Sequence, residues 1–287
     1  MTATPPAHSS LPYCADQVRR HDHDRYLTGL FAPAQRREAL FALYAFNIEV
    51  AKTAEIVREP MLGHIRLQWW REAVADIYAG RRPSAHPVLA PLTEAVTSHG
   101  LSRAHFDRLL DTREFDLDGT PPPTLAALEA YAAGVSASLM HLALEILGVR
   151  DEESHTAGHD VGIAWALIGL IRAVPFHARQ RRLYLPCELS DAAGLRIADV
   201  FELRAPAALG PVAEAIAARA AMHLSDARAR RRQVDPAARP ALLAATLADS
   251  HLATLRRAGY DPFAPAVQQR APGRIWRLIW AHLRRRY

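Results

Sequence analysis

The chain has 287 residues, half of them hydrophobic, which is typical of a folded globular protein and excludes a disordered one. Arginine and lysine outnumber aspartate and glutamate by 35 to 30, too small an excess to indicate nucleic-acid binding. The only cysteines, Cys14 and Cys187, form no pair motif, so they favour a reducing compartment and exclude a disulfide scaffold.

In chain order, residues 1–12 predict a flexible N-terminus that lacks both the apolar core of a secretory signal and the arginines of a transit peptide. Beyond it, apolar residues recur at spacings of three and four, which predicts helices in a single all-α domain over residues 13–271. Ser102 and Thr124 are predicted N-caps. The predicted helices occupy residues 34–59, 63–80, 102–115, 125–148, 155–177, 191–202, 211–232, 236–259 and 272–287.

The last helix, residues 272–287, is amphipathic and basic, with tryptophans on its apolar side. Such a helix suits an anionic membrane surface, but it could equally pack on the core and leave its arginines in water. No uninterrupted apolar run reaches the roughly 20 residues of a membrane span, so we expect surface contact at most. The expected membrane contacts are Trp276, Trp280, Arg277 and Arg284.

Three local patterns have a structural interpretation that outweighs the functional one. The stretch from His21 to Asp24, HDHD, predicts a solvated capping segment more than a metal cluster, because consecutive helical residues diverge. Trp69 and Trp70 are expected to pack in the core. An acidic face formed by Asp111, Glu114 and Asp118 is expected to be solvated or paired with Arg108 and Arg113.

Several phrases together resemble a known family. Residues 33–46 read PAQRREALFALYAF, and residues 162–172 read GIAWALIGLIR, followed by RLYLP at 182–186. With the middle segments at 109–118 and 131–138, and in this order, they resemble the squalene and phytoene synthases over most of the chain. The resemblance implies an all-α, isoprenoid-synthase-like helical bundle around a central cavity.

The family's chemistry requires two acidic motifs that hold Mg²⁺, which neutralises the diphosphate leaving group. Where the first motif is expected, Ala51 and Lys52 stand at the paired-aspartate positions, and only Glu55 is acidic. Where the second is expected, Ala173 and His177 replace its two aspartates. The resemblance therefore implies a protein that has lost its catalytic residues and needs no metal or other cofactor.

The departures themselves resemble one divergent branch of the family. The arginine expected before the first motif is Ile48, and the glutamine and asparagine of the second are Ala166 and Gly169. From about Tyr13 to Tyr287, phrases such as ALYAFNIEVA and IRAVPFHARQRRLYLP are similar to complex I assembly factors with a squalene/phytoene synthase domain. This branch implies a role in early complex I assembly at the membrane.

Three functions stay open from the sequence. The resemblance favours a non-catalytic assembly factor whose partners are complex I subunits or assembly intermediates, located in the cytoplasm at the inner membrane, or on the matrix side in a eukaryote. The alternatives are a prenyl transferase that uses farnesyl or geranylgeranyl diphosphate with Mg²⁺ and atypical ligands, and an isoprenoid- or lipid-binding protein. The expected ligand or partner contacts are Tyr44, Glu49, Arg172, His177 and Arg182.

Overall fold

A computed structural model describes residues 11–57, 59–81, 85–269 and 272–287. Every regular element in these ranges is helical, so the predicted all-α class is confirmed. Most of the N-terminal segment predicted to be flexible, residues 1–10, lies outside the described residues.

The first half of the chain wraps around one central helix, α3. Every residue from Ala39 to Ile48 of α3 is buried, as expected for a helix that is apolar on all sides. The helix predicted at 34–59 is two helices that are separated at Lys52, and the second ends at Ile56. The helices of this half are α1 (Tyr13–His21), α2 (His23–Gly29), α3 (Ala34–Ala51), α4 (Thr53–Ile56), α5 (Pro60–Tyr78), α6 (Leu89–His99), α7 (Arg103–Thr112) and α8 (Phe115–Asp118).

A long helix, Leu125–Ile146, forms the middle of the core. It comprises α9 (Leu125–Ala132), a π-helical turn (Ala133–Ala137) and α10 (Ser138–Ile146), and the Thr124 hydroxyl caps it as predicted. Its length and mean hydropathy would permit a membrane span, although polar residues interrupt its apolar sequence. Because 67% of its most apolar window is buried inside the fold, it is best explained as a core helix.

The second half packs around α11, which contacts α10, α15 and α17. The helix predicted at 191–202 is wrong as a single element: it is two short helices separated by a turn at Gly194, where φ is +64°. The helices of this half are α11 (Glu152–Arg172), α12 (Val174–Arg179), α13 (Cys187–Ala192), α14 (Ile197–Phe201), α15 (Leu209–Ala229), a 3₁₀ turn (Pro236–Ala238), α16 (Arg239–Leu242), α17 (Ala244–Arg257), α18 (Pro265–Gln268) and α19 (Arg274–Leu283).

Ser102 does not cap α7 with its side chain, contrary to the prediction. Its hydroxyl donates to one carboxylate oxygen of Glu145, and its backbone N–H donates to the other over 2.8 Å. Glu145 is only 4% exposed, so its charge needs donors inside the fold. Satisfying that buried carboxylate takes precedence over local helix capping.

The two ends of the described chain meet. Leu278 of α19 is fully buried against Leu27 of α2 and two leucines near α17. Beside them, the Asp24 carboxylate accepts hydrogen bonds from Arg274 of α19 and His251 of α17. The C-terminal helix is therefore part of the folded body.

Candidate functional site

The two segments with degenerate motifs meet at one place in the fold. Glu55 lies on α4, directly after α3, and His177 lies on α12, directly after α11. A guanidinium N–H of Arg182 donates to a backbone carbonyl of α4, which joins the two segments. The charges that act on both Glu55 and His177 come from the same three residues: Arg113, Asp116 and Arg182.

Desolvation changes the proton affinity of both motif residues, although Glu55 lies at the exposed edge of the site and His177 is half-buried. It raises the pKa of Glu55, against the opposing effect of Lys52 and two arginines. It also lowers the pKa of His177 to about 4, so this imidazole is neutral at pH 7. The site therefore presents a neutral histidine beside a carboxyl group whose charged form is disfavoured.

A buried carboxylate, Asp116 of α8, lies at the centre of the site. The hydroxyls of Tyr131 and Tyr184 each donate to its Oδ1 over 2.7 Å, and Arg113 donates to its Oδ2 over 3.0 Å. Burial raises the pKa of both tyrosines, so they remain protonated donors. The Arg113 guanidinium, whose pKa rises beside these partners, supplies the compensating positive charge.

These residues do not fit a magnesium site. The side chains of Ala51 and Ala173 offer no ligand atom, the Lys52 ammonium repels a cation, and the His177 imidazole is a poor ligand for hard Mg²⁺. The carboxylate of Asp116 is already used by three protein donors. Within the described ranges, no group of three or more His, Cys, Asp or Glu residues could hold a metal ion.

Glu49 and Lys52 lie beside the site and are engaged in ion pairs. The Lys52 ammonium is 3.4 Å from one Glu49 oxygen, and Arg66 of α5 is 3.3 Å from the other. Because this carboxylate lies between two cations, its charge is balanced within the fold. Glu49 therefore ties α3 to α5.

Arg172 and Tyr44 contact residues other than those around His177, so the structure does not show all five expected contact residues in one cluster. The Arg172 guanidinium lies 3.4 Å from His251, and its pKa is lowered by burial, with Asp24 opposing. The buried Tyr44, whose pKa burial raises to about 12, lies under the Arg25 guanidinium. Arg172 is the last residue of α11, whereas His177 lies on the following helix, α12.

Asp116 was not predicted from the sequence, where only its acidic neighbours Asp111, Glu114 and Asp118 were considered. Asp111 and Glu114 are indeed paired at the surface, but with Arg71 of α5, while Arg113 turns inward to Asp116. The available signal was that Asp116 stands between two apolar residues and three positions after an arginine.

Two other expectations are resolved by the structure. The Asp22 carboxylate caps α2 by accepting from the Arg25 N–H, as predicted, but Asp24 is an internal ion-pair partner and not a solvated residue. Trp70 is fully buried against Phe46, with ring centroids 5.3 Å apart, which confirms core packing for that tryptophan.

A cavity of about 560 Å³ lies away from the site, between α1, α2, α3 and α6. Its walls include Tyr26, Leu30 and Phe41 and contain none of the degenerate motif positions. The buried site itself carries polar atoms without a protein hydrogen-bond partner, namely the His177 Nδ1 and the Arg113 Nε. These atoms favour a polar interior over an oily prenyl tunnel at this place.

The C-terminal helix α19 packs on the core with one side and exposes aromatic and basic side chains on the other. Leu278 anchors it in the core, and Arg277 donates to the Ser250 hydroxyl over 3.0 Å. Its tryptophans point outward, with Trp276 74% exposed and Trp280 57% exposed. The Arg284 guanidinium lies 4.0 Å from the Trp280 ring centroid, so aromatic and cationic groups share one surface.

Residues 18–277 match the family model described as squalene/phytoene synthase. Among curated proteins, the chain is 33% identical over 258 residues to "NADH dehydrogenase (ubiquinone) complex I, assembly factor 6" of Homo sapiens, which covers 90% of this chain and 77% of that protein. It is 31% identical over 196 residues to a presqualene diphosphate synthase of Rhodopseudomonas palustris. This match covers 68% of this chain and 69% of that enzyme.

Solved structures share the fold at low sequence identity. A dehydrosqualene synthase crystallised with a ligand is 21% identical, with a TM-score of 0.82 over 95% of this chain and 94% of that one. A squalene synthase from Alicyclobacillus acidocaldarius is 22% identical, with a TM-score of 0.75 over 87% of this chain and 94% of that one. At these identities the likeness establishes the fold alone.

Proposed function

The chain belongs to the squalene/phytoene synthase family. We propose that, within this family, it acts in the assembly of respiratory complex I and not as a prenyl transferase. The observation that carries the proposal is the similarity to complex I assembly factor 6 over 90% of the chain. Relatives named as homologs of this factor in Drosophila melanogaster and Dictyostelium discoideum are 30% and 29% identical.

The site supports the same choice on chemical grounds. Ionising an allylic diphosphate requires cations on the leaving group, and these require free carboxylates. Here the motif positions carry Ala51, Lys52, Ala173 and His177, and the central Asp116 is neutralised by its own arginine and hydrogen-bonded by two tyrosines. The similarity to presqualene diphosphate synthases is the argument for the alternative, a prenyl transferase with atypical ligands.

We propose that the protein works at the cytoplasmic face of the inner membrane, or on the matrix side in a eukaryote, with α19 as the contact. The exposed Trp276 and Trp280 supply amphipathic rings that suit the headgroup region, and Arg284 with its basic neighbours suits anionic lipid. Its partners are complex I subunits or assembly intermediates. An isoprenoid or lipid held inside the fold stays a second hypothesis.

Deletion of the gene in the organism that encodes it tests the proposal. We expect less assembled NADH:ubiquinone oxidoreductase on native gels, unchanged isoprenoid products, and full restoration by the intact chain. A deletion strain with normal complex I that lacks an isoprenoid product would instead support the prenyl transferase.

A further inference from the structure

The outer face of α5 is apolar and open to solvent. Met61 is 68% exposed, Leu62 is 51% exposed and Ile65 is 60% exposed, whereas the inner face buries Leu67 and Trp70 completely. Isolated exposed apolar residues are ordinary, but neighbouring ones on one helix face are typical of an interaction surface. This face extends along the first three turns of α5.

A groove of about 470 Å³ runs beside this face. It is lined by Ile65, Gln68 and Trp69 and by four titratable residues, His64, Arg71, Glu72 and Glu114. The Trp69 ring packs edge-on against the buried Trp70, with centroids 4.8 Å apart, so its position is fixed. The backbone beside the groove is also fixed, because a Cβ added at Gly63 would lie 2.4 Å from the Leu117 side chain. The groove is therefore formed before any partner binds.

The rim of the groove is acidic. Glu72 accepts from the Gln68 amide, while Asp111 and Glu114 share a single arginine, Arg71, at 3.0 and 2.7 Å. Asp111 is 69% exposed and Glu114 is 47% exposed, so three carboxylates face solvent around one guanidinium. The nearby Arg66 adds little positive charge to the rim, because its guanidinium is paired with Glu49 of α3.

We propose that this client face, formed by Met61, Leu62, Ile65 and Trp69 with its acidic rim, binds an amphipathic helical segment of a complex I subunit or assembly intermediate. Such a segment would present apolar residues at spacings of three and four to the face and Lys or Arg to the rim. The inference rests on the proposed function and specifies its partner. An anionic membrane is disfavoured, because the rim repels it.

Paired substitutions in the full-length chain test the client face. Ile65→Asp places a charge in the apolar face and Glu72→Lys reverses the rim, and both positions are exposed, so folding should be preserved. The matched controls, Met222→Asp and Glu214→Lys, lie at exposed positions of α15, which packs on α11 and not on α5. We expect only the α5 variants to fail to restore complex I in the deletion strain, with thermal melting unchanged.

A photo-crosslinking residue at position 65 identifies what occupies the face, with the same residue at Met222 as control. We expect mass spectrometry to find a complex I segment of the stated chemistry, in a yield that Glu72→Lys lowers by about tenfold. Adducts with lipid alone, or with an acidic or non-helical segment, would overturn the client face. If Ile65→Asp restores complex I fully, the face is wrong but the assembly role stands; a deletion without any complex I defect removes the assembly role itself.

Discussion

At Asp116, one carboxylate receives three donors in a position where nearly all water is excluded. Removing one partner of a buried ion pair leaves the other charge uncompensated. We expect Asp116→Ala to lower the free energy of unfolding by about 3–5 kcal/mol, because Arg113 stays buried. Tyr184→Phe removes one hydrogen bond and should cost about 2 kcal/mol. Urea unfolding monitored by circular dichroism measures both, and equal losses would contradict this account.

The neutral His177 predicts sensitivity to acid. The unfolded chain binds a proton at this residue below about pH 6.5, whereas the native imidazole, with its pKa near 4, resists protonation. The neutral His177 therefore adds its full contribution to the free energy of unfolding above about pH 6.5, and this contribution is lost as the pH falls towards 4. Unfolding experiments between pH 7 and 4 should show His177→Gln losing about 1–3 kcal/mol less than the native chain. Parallel pH profiles would rule out this assignment.

Among the helices, two of the three glycines of α11, Gly162 and Gly169, have opposite roles. A Cβ at Gly162 would lie 2.6 Å from the Ala137 Cα in the π-helical turn, whereas nothing lies within 4 Å of one at Gly169. We expect Gly162→Ala to destabilise the fold by about 1–3 kcal/mol through overpacking. Gly169→Ala should stabilise the same helix by up to about 1 kcal/mol. Thermal unfolding of the two variants tests the contrast, and a similar effect of both would argue against close packing at the π turn.

The exposed rings of α19 predict binding to anionic vesicles. We expect Trp276→Ala combined with Trp280→Ala to weaken co-sedimentation with these vesicles strongly, and added salt to weaken binding by the native chain. Deleting residues 272–287 is a poorer test, because it also removes Arg274 and Leu278 from the core. Unchanged binding by the double variant would locate the membrane contact elsewhere.

Helical periodicity identified most long elements but not their ends or partners. The predicted helix at 34–59 divides at Lys52, and α1, α2, α6 and α18 were not predicted, because short helices are stabilised by packing more than by local pattern. The motif alignment brought Glu55 and His177 to one place. It could not find Asp116, because that role depends on tyrosines 15 and 68 positions away.

For the molecule as a whole, we expect no magnesium-dependent release of pyrophosphate from farnesyl or geranylgeranyl diphosphate. Placing aspartate at Ala51, Lys52, Ala173 and His177 together should not create turnover, because Asp116 stays paired with Arg113 and other motif positions also differ. A pyrophosphate assay checks the native chain and the variant with four aspartates, with a dehydrosqualene synthase as the positive control. Sustained turnover by the native chain would overturn the non-catalytic assignment.

The pairing of Asp24 with Arg274 spans 250 positions and sets an order of events during protein synthesis. At about 5–20 residues per second, α2 is synthesised roughly 12–50 seconds before α19. During that time the Asp24 carboxylate lacks its arginine and Leu27 lacks its cover of Leu278. The junction of α2, α17 and α19 therefore closes only after α19 has been synthesised. A chain that lacks α19 would leave Leu27 uncovered and Asp24 without its arginine, which cellular proteases could recognise.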